Sequence, residues 1–105
     1  MNLTQKKCKP CEGNMPPLAE ERANELLKQI PEWEIKNGHV FRQFKFKNFK
    51  EAIAFVNKVA EIAEQEGHHP NISINYNKVA IELWTHAING LSENDFILAA
   101  KISNI

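Results

Sequence analysis

The chain has 105 residues, 43% of them hydrophobic and 25% charged, which suits one compact globular domain. Thirteen basic side chains balance thirteen acidic ones, so no net field favours nucleic acid or an anionic membrane. No stretch approaches the roughly 18 apolar residues of a membrane span, the lysine-rich N-terminus lacks an apolar signal core, and two cysteines are too few for a disulfide framework. A cytoplasmic protein is expected.

Residues 1–15 read as a flexible tail and residues 16–105 as the folded domain. After Pro17, Leu18, Ala19, Ala23, Leu26, Leu27 and Ile30 recur at helical spacing, and Pro31 ends the run. Trp33 and Ile35 alternate with polar residues up to Asn37–Gly38, a strong hairpin signal. The return strand carries Val40, Phe44 and Phe46 on one face, with Phe41 and Lys45 on the other. Asn48 and Glu51 then open a second helix in the manner of a capping box. Its core face reads Phe49, Ala52, Ile53, Val56, Val59, Ala60 and Ala63. Phe55 and Ile62 widen that stripe beyond what one small sheet covers, which points to self-association.

Gly67 suits the end of this helix. Ile72, Ile74 and Tyr76 alternate as a strand, Asn77–Lys78 turn, and Val79, Ile81 and Leu83 alternate on the return. Ser92 and Asp95 form an N-cap and its N3 partner for a last helix with Phe96, Ala99, Ala100 and Ile102 inside. Helix, hairpin, helix, hairpin, helix makes an α+β domain, a four-stranded antiparallel sheet with helices packed on one face.

Chemistry concentrates at the junctions. His68 and His69 lie between a helix end and a strand, with Pro70 fixing the turn, and His86 ends the second hairpin. If that hairpin folds back, His86 faces the His68–His69 pair across a small cleft. Histidine at such a place can donate and accept protons at cellular pH. His39 stands apart and reads as a capping or solvated residue. A zinc site competes, but adjacent histidines diverge and no HExxH or cysteine cluster accompanies them. Cys8 and Cys11 are half of a metal or redox motif with no second half, and read as two thiols in the tail. Glu64 and Asp95 have ordinary duties open to them as well, solvation and helix capping.

Glu64, then His68–His69–Pro70, Tyr76, His86 and Asp95 stand at spacings that resemble the signature of the pterin-4a-carbinolamine dehydratases. Tyr76–Val79, Thr85–His86 and Gly90–Ser92 are similar too, and the resemblance covers residues 16–105. Many members carry tryptophan and arginine where this chain has Ile72 and Asn94, two positions that the resemblance places in the cleft lining.

The resemblance implies removal of water from 4a-hydroxytetrahydropterin to give quinonoid dihydropterin, in tetrahydrobiopterin recycling for aromatic amino acid hydroxylation. It assigns His68 and His86 as general acids and His69 to pterin binding. Asp95 orients a histidine or meets the pterin, and Glu64 and Pro70 support the site. No metal and no cofactor is implied, since the pterin is the substrate. It further implies a homodimer or homotetramer, the latter through the second helix, and no nucleic-acid or membrane partner. The rival readings are a non-catalytic interaction module, a metal-binding domain, and a dehydratase with another metabolic task.

Overall fold

The computed structural model describes residues 3–9 and 16–105. Its elements run α1 (Glu20–Leu27), β1 (Glu34–Lys36), β2 (His39–Lys45), α2 (Phe49–Glu66), β3 (Asn71–Asn75), β4 (Lys78–Leu83) and α3 (Glu93–Ser103), with single 3-10 turns at Leu3–Gln5 and His86–Ile88. All strand pairings are antiparallel, in the order β1-β2-β4-β3. Element order and α+β class are those expected from the sequence.

Local chemistry explains the turns. Asn37 and Gly38 both have positive φ, 54° and 77°, as a two-residue hairpin matched to strand twist requires. The second turn lies one residue earlier than expected. Asn75 pairs with Lys78, so Tyr76–Asn77 form the loop and Lys78 opens β4. Asn77 decides this, because its side-chain amide donates to the Phe46 carbonyl at 2.9 Å while Phe46 N–H donates to the Asn77 carbonyl at 2.8 Å.

Val40, Val79, Ile81 and Leu83 are wholly buried on the helix side of the sheet. Almost every side chain of α3 from Asn94 to Ile102 is buried, since this helix packs against the sheet, α1, α2 and the N-terminal 3-10 turn. α1 is shorter than its apolar run. Leu18 N–H is taken by the Leu91 carbonyl, and beyond Leu27 the backbone tightens into i→i−3 bonds up to Ile30.

On α2, Asn48 Oδ1 accepts Glu51 N–H at 2.9 Å, the expected cap. Its buried face is rotated from the expected one. Phe49 and Ala60 point outward, and Phe55 is core, with ring centroids 4.6 Å from Phe44 and 4.9 Å from Phe46. Phe44 of β2 and Phe46, the residue just past it, present two phenyl rings that need a partner there, and Phe55 fills that place instead of a surplus flank. Ile62 is half-buried against the same core.

Residues 3–9, read from the sequence as part of a flexible tail, are packed on the domain. Leu3 belongs to the core, and Lys6 Nζ pairs with Glu93 at 2.6 Å. Cys8 N–H donates to Glu66 at 2.9 Å, and the backbone of Lys9 exchanges two hydrogen bonds with the Asn94 side chain. The segment lacks periodicity because these tertiary bonds hold it, and not bonds within itself. Cys11 lies outside the described residues. Among them, no helix is long and apolar enough to cross a membrane.

Candidate active site

Gly67 ends α2 with φ 64°, a left-handed turn that glycine adopts without side-chain strain. Its N–H and that of His68 both meet the Ala63 carbonyl. The reversal brings His68 to the N-terminus of α3. There His68 Nε2 lies 2.6 Å from Asp95 Oδ1.

Asp95 is wholly buried, and donors meet both its oxygens. Oδ2 accepts Ser92 N–H at 2.9 Å and the Thr85 hydroxyl at 3.0 Å, and Thr85 Oγ1 lies 2.7 Å from Ser92 Oγ. One carboxylate therefore serves as the N3 partner that reaches back to its helix cap and as the anchor of a histidine. Hydrogen bonds to an ionised partner are worth about 1.5–3 kcal/mol each, and the knot of Thr85, Ser92 and Asp95 fixes the oxygen that His68 meets.

β3 and β4 pair with Asn71 opposite Glu82, so the start of one strand lies beside the end of the other. This brings His86 to the same cleft as His68 and His69, the neighbourhood expected from the hairpin. A bridge between Thr85 and Gly90 closes the loop that carries His86. At Gly90 a Cβ would lie 2.7 Å from Cβ of Pro17, so any larger residue there would force Pro17 or the loop to shift.

The cleft holds about 730 Å³, within the range of small-molecule sites. His68, His69, His86, Glu64 and Pro70 all line it. Asp95 does not line it. It stands behind His68, and of the two duties open to it the position fits orienting a histidine. His69 Nε2 meets Glu64 Oε2 at 2.5 Å, but both side chains are mostly exposed and the pair adds little stability.

Trp84, Thr85, Cys8 and Lys9 also belong to the site, as lining residues that the sequence did not single out for it. Trp84 was legible only as a neighbour of His86, and Thr85 only as part of the Thr85–His86 resemblance. Burial and the Glu66 carboxylate push the Cys8 thiol up to about 12, so it stays protonated. Burial works against ionisation of Glu66, yet the Lys101 ammonium at 2.7 Å and Cys8 N–H hold its carboxyl below the ordinary 4.5. Among the described residues, no group of three or more His, Cys, Asp or Glu side chains is placed to hold a metal ion.

The family model for pterin 4 alpha carbinolamine dehydratase matches residues 16–105. The chain belongs to that family. A protein of Rickettsia canadensis provisionally named pterin-4-alpha-carbinolamine dehydratase is 52% identical over 97% of this chain and 95% of its own. One of Nitrosomonas eutropha, provisionally given the same name, is 51% identical over 96% and 90%. The crystal structure of a transcriptional coactivator/pterin dehydratase from Brucella melitensis superposes with TM-score 0.80 at 36% identity, covering 84% of this chain and 96% of that one. A pterin dehydratase-like RuBisCO assembly factor of the alpha-carboxysome shares the fold more loosely, with TM-score 0.57 and 27% identity over 69% and 83%.

Proposed function

We propose that the protein removes water from a 4a-hydroxytetrahydropterin, giving quinonoid dihydropterin, by acid/base catalysis from the cleft histidines. The observation that carries this reading is the 2.6 Å contact between His68 Nε2 and buried Asp95. With the Nε2 proton committed to the carboxylate, Nδ1 is the nitrogen left to serve a ligand in the cleft. His68, acting as an imidazolium with its Nε2 proton kept on Asp95, gives the Nδ1 proton to the hydroxyl on C4a, the C–O bond breaks, and water departs. The lone pair of the adjacent ring nitrogen forms the new C=N bond, and that nitrogen loses its proton to solvent water. Protons alone balance the step. Proton transfer of this kind supplies about 10²–10⁴-fold.

His86 serves as the second general acid, for the 4a-hydroxyl isomer that His68 does not reach. His69, mostly exposed and tied to Glu64, holds the ring, and Pro70 shapes the turn beneath it. The same reading gives the protein a cytoplasmic place in tetrahydrobiopterin recycling beside an aromatic amino acid hydroxylase, as a homodimer or homotetramer. Exposed Phe49, Ile74 and Tyr76 are apolar surface that such an assembly would cover. A non-catalytic binding module is the second reading, favoured by the RuBisCO assembly factor that shares the fold.

Steady-state kinetics on both 4a-hydroxyl isomers separate the two readings. His68→Ala should lower kcat with KM little changed, since a proton donor acts mainly in the transition state. His69→Ala should raise KM, and His86→Ala should hurt one isomer more than the other. Wild-type turnover in the double variant H68A/H86A would leave the histidines structural and the mechanism without its donors.

A further inference from the structure

His39 opens β2, and the register that sets Val40 opposite Leu83 carries on to set His39 opposite Trp84, one residue past β4. The side chains meet as that register requires. His39 Nδ1 lies 2.8 Å from Glu82 Oε2, and the imidazole stacks on the Trp84 indole with centroids 4.0 Å apart and planes 9° apart. Trp84 in turn contacts the His86 ring, at 4.4 Å and 39°. Trp84 and His86 both line the cleft, so the row runs from the sheet into the site.

The three cleft histidines are held differently. His68 has the Asp95 carboxylate and His69 the Glu64 carboxylate, whereas among the described residues His86 has ring contact with Trp84 and no hydrogen-bonded side-chain partner. An imidazole without such a partner turns freely about its last side-chain bond unless packing stops it. A proton donor that turns freely spends little time aimed at its target.

We propose that His39 and Trp84 are positioning residues for His86. Glu82 fixes His39, His39 fixes the plane of the indole, and the indole sets the plane in which His86 presents its nitrogens to the cleft. The inference rests on the acid/base reading of His86 for its meaning, though the brace itself is a matter of geometry.

Proton NMR of the intact protein tests the brace apart from activity. An indole stacked near an imidazole displaces the His86 ring-proton resonances upfield. Trp84→Leu should return them toward the positions of an exposed histidine, His39→Ala should move them part of the way, and those of His69 should stay. Isomer-resolved kinetics test the consequence. Trp84→Leu should lower kcat on the His86-dependent isomer by about two- to tenfold, the worth of one aromatic contact, with KM little changed, and Trp84→Phe should restore most of it. His39→Ala supplies the same readouts should Trp84→Leu fail to fold. Unmoved His86 resonances in the variants would overturn the brace. Moved resonances with unchanged kcat would overturn its role in positioning for the reaction. An upfield-shifted His86 in a wild-type protein with no turnover would instead sink the dehydratase reading and leave the brace standing.

Discussion

Replacing Asp95 by asparagine keeps the shape of the buried side chain and removes its charge. The amide oxygen can still accept from Ser92 N–H and the Thr85 hydroxyl, which meet Oδ2 at 2.9 and 3.0 Å. The amide nitrogen then faces His68 Nε2 with a donor where the wild type has an acceptor. Two donors cannot share that 2.6 Å contact, so His68 must move its ring proton to Nδ1 or turn away. The charge-assisted bond lost is worth about 1.5–3 kcal/mol, which at about 1.4 kcal/mol per tenfold lowers kcat roughly 10- to 150-fold. KM should change little, because Asp95 is 0% exposed and does not line the cleft. Stopped-flow dehydration kinetics, with urea unfolding to show that the variant is folded, measure both. A kcat within twofold of wild type, or a raised KM with kcat intact, would refute the role given to this carboxylate.

Three further outcomes follow from the packing. Phe55→Asp should unfold the domain, since it buries an unpaired charge among Phe44 and Phe46, and Phe49→Asp on the exposed face of α2 should leave its circular dichroism unchanged. Iodoacetamide should leave Cys8 unlabelled in the native protein and label it in urea, as read by mass spectrometry, because a thiol pushed up to about 12 stays protonated at neutral pH. Glu66 has a lowered folded-state value, so its stabilising contribution is full above the unfolded value of about 4.5 and is lost as pH falls through the lower folded one. Urea midpoints of Glu66→Gln should therefore be lower than wild type at neutral pH and converge with it in acid.

Much of the fold was legible because it is locally encoded. Asn37–Gly38, the Asn48 cap and Gly67 each dictate a backbone conformation that the structure shows. What stayed hidden depends on partners distant in sequence. Phe55 reads as surplus on its own helix and becomes core only when Phe44 of β2 and Phe46 just beyond it arrive. Residues 3–9 carry no period of their own and are held by Glu66, Glu93 and Asn94, up to 87 positions away. At the site, the junction positions of His68, His69 and His86 were readable, and so was Asp95 as a capping residue. Its contact with His68 links residues 27 positions apart. The proposal that it orients a histidine, and does not meet the pterin, rests on that geometry. His39 read as a solvated histidine because neither Glu82 nor Trp84 is near it in sequence.

The central claim is that the cleft histidines dehydrate a 4a-hydroxypterin, and one comparison tests it most directly. Freshly generated 4a-hydroxytetrahydropterin is mixed with purified wild-type protein, with the double variant H68A/H86A, and with buffer alone, and quinonoid product is followed by absorbance. The expected result is rapid conversion by wild type, with the double variant close to the buffer rate while its circular dichroism stays native. Equal rates for wild type and buffer, or wild-type rates from the double variant, would contradict the account.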